Sequence, residues 1–291
     1  MSMPDDDPDV TKTLEISANA ALKTPIWQRR YKPVRQLGEG GMGTVLLAER
    51  LSDSRLVCLK FLNAGTDLRT AEQECRALMR LRHPSIVSLL DFSLEDTPPW
   101  LATEFVDGST LQAYLKQHKP VHGEMALAIL KPILEALDHA HGEAVIHRDL
   151  KPANIIVNAD GNNVRVRILD FGIAIVDQFD HAGNLTARGA DPLGTLLYMA
   201  PEQLEGQLLT SACDLYAVGL MAWEMLMGRS VFEGKTRTQM LFEKMTREGF
   251  ALEDVAASLP ANLTSIVEAC TRREPRARPS AREAVALLES A

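Results

Sequence analysis

Apolar residues fall into short β-like runs in the first third of the chain and into 3.6-period helical stripes beyond it. Thr44-Val45-Leu46-Leu47-Ala48 and Leu56-Val57-Cys58-Leu59-Lys60-Phe61 read as strands, with glycine-rich punctuation before them. Residues 67–82 read as an amphipathic helix with Leu68, Cys75, Leu78, Met79 and Leu81 inward, stopped by His83-Pro84. Two more strand-like runs follow, Ile86–Phe92 and Trp100–Val106, and after Asp107-Gly108 helical spacing dominates at 124–141, 211–227, 236–247 and 280–290. Pro132 lies inside the first of these and predicts a kink, at ~3 kcal/mol of lost helix propensity. Residues 1–24 are acidic and then Ser/Thr/Ala/Asn-rich, which predicts a flexible tail, with Leu14 and Ile16 as its points of docking. The change of pattern near 104–110 divides the rest into a strand-rich unit, 25–106, and a helical unit, 107–291. Neither an internal repeat nor a long linker is present. The expectation is a two-lobed α+β fold with its site at the seam.

Composition narrows the classes. With 46% hydrophobic and 24% charged residues the chain is no disordered polymer, and 18 Gly and 15 Pro are too few for a collagen-like one. The formal charge of -8 (31 Lys+Arg against 39 Asp+Glu) gives no general attraction to nucleic acid or anionic lipid. Cys58, Cys75, Cys213 and Cys270 are far apart with no C-x-x-C pair, which argues against a zinc site or disulfide framework and for a reducing compartment. No apolar run approaches the ~18–20 residues of a membrane span. The acidic start (Asp5, Asp6, Asp7, Asp9) is unlike a signal peptide, so the expected location is cytoplasmic. Cys75, Cys213 and Cys270 read as core filler, and the 11 methionines as packing.

Candidate chemistry begins at Gly38-Glu39-Gly40-Gly41-Met42-Gly43-Thr44-Val45. A lone G-x-G-x-x-G fits a flexible hairpin as well as a phosphate loop. In a dinucleotide fold it lies between strand and helix, whereas here Val45–Ala48 continues as strand. That suits a hairpin over phosphates, since glycine lets the backbone approach negative oxygens. Lys60 ends an apolar run, where a lysine is ordinarily a surface residue. A hairpin return strand would instead carry its ammonium under the glycines, with Glu72 or Glu74 of the next helix as carboxylate partner. The strongest signal is His147-Arg148-Asp149-Leu150-Lys151-Pro152-Ala153-Asn154, then strand Ile155–Val157, a polar turn, strand Val164–Leu169 and Asp170-Phe171-Gly172. Asp149, Asn154 and Asp170 flank one short hairpin and can converge. A carboxylate to accept a hydroxyl proton and two oxygen ligands for a hard cation are equipment for phosphoryl transfer.

This ordered set resembles the eukaryotic-type (Hanks-type) protein kinases over residues ~31–290. Lys151-Pro152-x-Asn154 and Gly194-Thr195-x-x-Tyr198-Met199-Ala200-Pro201-Glu202 resemble the Ser/Thr branch, and Gly40-Gly41-Met42-Gly43 the bacterial Ser/Thr kinases. The resemblance implies a small antiparallel β-rich lobe with one key helix and a larger helical lobe, 31–290 forming one kinase domain. It implies ATP with Mg²⁺ (Mn²⁺ as substitute), protein substrates with Ser/Thr acceptors, and autophosphorylation, for which a transient dimer acting in trans would suffice.

By position, the resemblance implies that Gly38, Gly40 and Gly43 cover the triphosphate, while Lys60, held by Glu74, contacts its α and β groups. Asp149 orients the acceptor hydroxyl and takes its proton, Lys151 steadies the γ-phosphate, and Asn154 and Asp170 hold the metal. Leu37, Val45, Cys58 and Ile156 sandwich adenine beside the gatekeeper Thr103, with backbone groups of Glu104 and Val106 toward the base. Leu78, Leu89, His147 and Phe171 stack into a spine anchored by Asp214, and Glu202 pairs with Arg278. Cys58 departs from the family's usual alanine and puts a thiol near adenine. Thr186 and Thr195 are the Ser/Thr acceptors of the activation segment before Tyr198; Thr186 is the candidate switch with Arg148 as receiver of its phosphate, Asp191 an alternative source of that charge, and Thr195 expected to be structural. The other readings are a nucleotide-binding pseudokinase scaffold, disfavoured because Lys60, Asp149, Asn154 and Asp170 are all present, and a small-molecule kinase, which would normally lack the segment from Gly194 to Glu202.

Overall fold

A computed structural model describes residues 25–40, 43–62, 68–121, 123–160, 163–171, 192–252 and 259–290. The tail expected over 1–24 lies outside them. A short helix α1 (Ile26–Arg30) leads into an antiparallel sheet of β1 (Tyr31–Gly40), β2 (Gly43–Arg50), β3 (Leu56–Phe61), β4 (Leu89–Ser93) and β5 (Trp100–Glu104), in the order β1-β2-β3-β5-β4. Period-two alternation sorts its two faces. On one, Val57, Leu59, Phe61, Trp100 and Ala102 pack with Tyr31 and Ala48 as a small separate core. Asp96 fastens α1 to that side: it accepts the Ile26 and Trp27 amides, both at 3.1 Å, and Trp100 Nε1 at 2.6 Å.

The opposite face carries two rows set by the pairing register: Gly38, Val45, Lys60 and Leu101, then Leu47, Cys58, Thr103 and Leu89. Leu89 and Leu101 join the main core, together with Cys75 and Leu78 of helix α2 (Leu68–Leu78). The helix is shorter than its sequence spacing predicts, so Met79 falls past its end and is exposed, as is Leu68 in its first turn. The strand expected from Ile86 begins only at Leu89. Residues 85–87 bond instead to a distant strand, Ile168 N donating to Ser85 O at 2.8 Å and Val87 N to Ile168 O at 2.9 Å.

The second region holds β6 (Ser109–Thr110), α3 (Leu111–Gln117), α4 (Gly123–Gly142), β7 (Ile155–Asp160), β8 (Asn163–Ile168), α5 (Pro192–Tyr198), α6 (Pro201–Leu204), α7 (Ala212–Met227), α8 (Arg237–Thr246), α9 (Ala261–Cys270) and α10 (Ala281–Glu289). Helix α4 runs through Pro132 without a break, since burial of Ile129, Leu130, Ile133 and Leu134 outweighs the local propensity. Helix α7 is apolar nearly all round and is correspondingly central. Gly219 lets it approach α9: a Cβ there would lie 2.7 Å from Thr271 Cγ2 and 2.9 Å from Cys270 Cβ. Short β6 joins β7 and β8 in a second sheet, and Gly108 before it has φ +141°, where a Cβ would lie 2.8 Å from Ile156 Cγ2. A β-rich first region and a helical second one give the expected two-lobed α+β architecture.

Candidate active site

The β7–β8 hairpin builds the site. Ile155 pairs with Ile168, and Leu169 N donates to Asn154 O at 2.8 Å, so Asn154 and Asp170 sit at the mouth of one ladder. The chain before it is bent by the 3₁₀ turn Pro152–Asn154, whose Asn154 N donates to Lys151 O at 2.9 Å. Asn154 Nδ2 thereby reaches the Asp149 carbonyl at 2.8 Å and its Oδ2 at 3.2 Å. Lys151 Nζ lies 2.9 Å from Asp149 Oδ2 and 3.1 Å from Oδ1. Asp149, Lys151 and Asn154 thus form one hydrogen-bonded unit.

Asp214, at the start of α7, holds the loop from beneath. Its carboxylate accepts the His147 amide at 2.9 Å, the Arg148 amide at 2.8 Å and His141 Nε2–H at 2.8 Å. Burial pushes its carboxyl up, but the hydrogen bond from His141 and the charges of His141 and His147 prevail and keep it below the ordinary value. His147 Nε2–H donates to Leu169 O at 2.8 Å and its ring lies 4.7 Å from that of Phe171, joining loop and hairpin. Leu78, Leu89 and Phe171 belong to the same buried cluster, which His147 meets through the Phe171 ring.

Asp170 receives Lys60 Nζ at 2.9 Å across the seam. Burial raises the Asp170 carboxyl, yet the Lys60 ammonium, with His147 and Lys151 behind it, holds it ionised below the usual carboxylate value. Asn154 and Asp170 offer two hard oxygen donors, and no group of three or more His, Cys, Asp or Glu side chains that could hold a metal occurs among the described residues. A hard divalent cation that keeps water and phosphate oxygens fits such a sparse pair better than a zinc-type ion.

Of the residues expected around adenine, Val45, Cys58 and Ile156, the gatekeeper Thr103, and Glu104 and Val106 with their main-chain groups are half-buried, and Leu37 is exposed at the rim. Glycines 40 and 43 pair across the first turn, Gly43 with φ +113°. Burial, helped by the Asp170 charge, pushes the Cys58 thiol up to about 11. Cys75, Cys213 and Cys270 are buried, in line with core filling.

Glu202 and Arg278 meet as expected, in a buried two-pronged pair: Nη1 to Oε1 at 2.6 Å and Nη2 to Oε2 at 2.8 Å. Thr186 and Asp191 lie outside the described residues, as do the side chains of Glu74 and Thr195; Glu74 is on α2 and Thr195 on α5. Sequence reading passed over Gln203, which accepts the Ala200 amide at 2.9 Å and donates to Arg148 O at 2.8 Å. It also missed His141 beneath the loop and the hydrogen bond from Tyr198 Oη to Glu224. Ala200 has no side-chain oxygen to complete a capping box, so the one readable signal there was Pro201 at the first position of α6, which places Gln203 in its first turn.

Residues 31–287 match the family model described as the protein kinase domain. The chain is 33% identical over 254 residues to the serine/threonine-protein kinase PrkC of Bacillus subtilis, covering 84% of this chain and 38% of that one. It is 38% identical over 226 residues to the serine/threonine-protein kinase pkn3 of Myxococcus xanthus, covering 75% and 41% respectively. A third relative, the probable serine/threonine-protein kinase PknB of Lactococcus lactis, is 31% identical over 259 residues, covering 87% and 40%. These matches span only about two fifths of the relatives' length.

Proposed function

Because the chain belongs to the protein kinase family, we propose that it transfers the γ-phosphoryl group of ATP to serine and threonine hydroxyls of proteins. The observation that carries this reading is the Asp149–Lys151–Asn154 unit facing the Lys60–Asp170 pair. In it, Asp149 takes the proton of the acceptor hydroxyl as that oxygen bonds to the γ-phosphorus; the bond to the β–γ bridging oxygen breaks and ADP leaves. Lys151, already against Asp149, offsets charge on the γ-phosphate. Lys60 contacts the α and β phosphates with Glu74 behind it, under the backbone of Gly38, Gly40 and Gly43. Leu37, Val45, Cys58 and Ile156 enclose adenine beside Thr103, with Glu104 and Val106 presenting main-chain groups.

Divalent metal use belongs to the family; we assign Mg²⁺, with Mn²⁺ as substitute, to Asn154 and Asp170, where it would neutralise phosphate charge. The lobe boundary is assigned between residues 106 and 107. Thr186 is assigned as the regulatory acceptor, its phosphate adding about -1.5 to -2 charge for Arg148 to receive, and Thr195 as structural. The test is transfer from γ-labelled ATP, first by the protein alone and then with a generic basic protein as acceptor. Label in phosphoserine or phosphothreonine is expected, and in Thr186 for the protein alone. ATP binding without any label would turn the reading to a nucleotide-binding scaffold.

A further inference from the structure

Lys244 on α8 is only 1% exposed, and no carboxylate lies within ion-pair distance of it among the described residues. Its amine donates to the carbonyls of Leu197, at 2.9 Å, and Met199, at 2.7 Å. The rings of Phe232 and Tyr216 complete the enclosure, with centroids 4.7 Å and 5.0 Å from Nζ. A lysine in such a place is costly, and methionine would fill the same volume without the penalty. What methionine lacks is the donors. Burial holds the Lys244 amine well below its ordinary value; Arg278 adds to this and Glu202 opposes it. Even uncharged, the amine keeps two N–H groups, one for each carbonyl.

The carbonyls it takes lie where helix α5 ends, where main-chain acceptors have no partner of their own. Lys244 therefore sets the direction in which the chain leaves α5 towards Ala200 and Pro201. From there the bonds lead straight to the chemistry: Ala200 N to Gln203 Oε1, and Gln203 Nε2 to Arg148 O, one residue before Asp149. Tyr198, Met199 and Gln203 line one small cavity with Asp149.

We propose that Lys244 is a positioning residue for the protein acceptor: by fixing the Leu197 and Met199 carbonyls it holds the 197–203 strip, over which an acceptor chain would lie, at its working distance from Asp149. This rests on the reading of the chain as a protein kinase, and it assigns Lys244 to acceptor binding and not to ATP.

The full chain carrying Lys244→Met is compared with wild type for acceptor KM and kcat, ATP-analogue affinity, and ATP hydrolysis without acceptor. The expected result is a loss of about tenfold or more in kcat/KM for a generic basic protein, mostly through KM, with ATP affinity and acceptor-free hydrolysis within about twofold. Lys244→Gln, which keeps one donor amide, should lose less than Lys244→Met. An acceptor KM within about twofold of wild type overturns the proposal, and so does a parallel fall in ATP affinity, which a merely structural lysine would cause. Loss of the folded circular-dichroism signal in both variants overturns it likewise. Failure of the wild-type protein to phosphorylate any acceptor would refute the kinase reading itself, an outcome separable from an unaltered Lys244→Met.

Discussion

Glu104, the last residue of β5, is ion-paired to Arg167 on β8, so the strand leaving the first sheet is bound to the hairpin that carries Asn154 and Asp170. The same carboxylate accepts the Ser88 amide at 2.7 Å, and Arg167 Nη2 reaches Ile86 O at 3.2 Å. The strip before β4 is thus stitched to β5 on one side and to β8 on the other.

Arg167→Met releases the Glu104 side chain at the place assigned to the adenine edge. A partly exposed pair of this kind is worth at most ~1 kcal/mol of stability, so the melting temperature should hardly move. The KM for ATP should rise about threefold to tenfold while kcat stays within about twofold. Steady-state kinetics at saturating acceptor decide it, and an unchanged KM contradicts the assignment.

Asp149→Asn should abolish transfer and leave ATP binding and fold intact. The amide is nearly isosteric and can still meet Asn154 and Lys151, but it is a poor base. A retained kcat above about a tenth of wild type, a barrier rise under ~1.4 kcal/mol, would remove Asp149 from its role.

Cys58 should react slowly with thiol reagents below its raised pKa of about 11. A shift of that size from an ordinary thiol cuts the reactive thiolate at pH 8 roughly a hundredfold. The sign is fixed: labelling climbs as pH rises toward the folded value and falls when ATP fills the pocket. Peptide mass spectrometry of labelled protein reads both, and fast labelling at pH 8 indifferent to ATP would put the thiol elsewhere.

Arg278→Leu leaves Glu202 buried without its cation, while its carbonyl acceptors at Arg272, Arg273 and Ala212 lose their donor. The cost should be ~3–5 kcal/mol in urea unfolding. A loss under ~1 kcal/mol, the range of a surface pair, would show that the pair is solvated in solution.

Residues that meet the nucleotide in the proposed reading were legible because their types are fixed by chemistry and their spacing by two hairpins. Asp149, Asn154 and Asp170 could be found from a loop and a ladder alone. The Glu202–Arg278 pair needed the family resemblance, since 76 residues separate its members. Helix α9 was legible but passed over: Leu263, Ile266, Val267 and Cys270 have helical spacing. Helices α5 and α6 are too short to show a period. Lys244 was invisible for another reason. A lysine on an amphipathic helix reads as solvated, and only tertiary packing turns it inward onto carbonyls contributed by a distant segment.

Arg148 and Asp170 both hold positive φ, +66° and +53°, without being glycine. Each such residue costs ~1 kcal/mol or more relative to an unstrained backbone, and glycine would relieve it. Random mutagenesis screened for heat resistance alone should therefore drift toward glycine at position 148, while a screen for phosphoryl transfer should drive it back. The two selections pull against each other at the residues next to His147 and Phe171, so the most stable version of this chain and its most active version are different sequences.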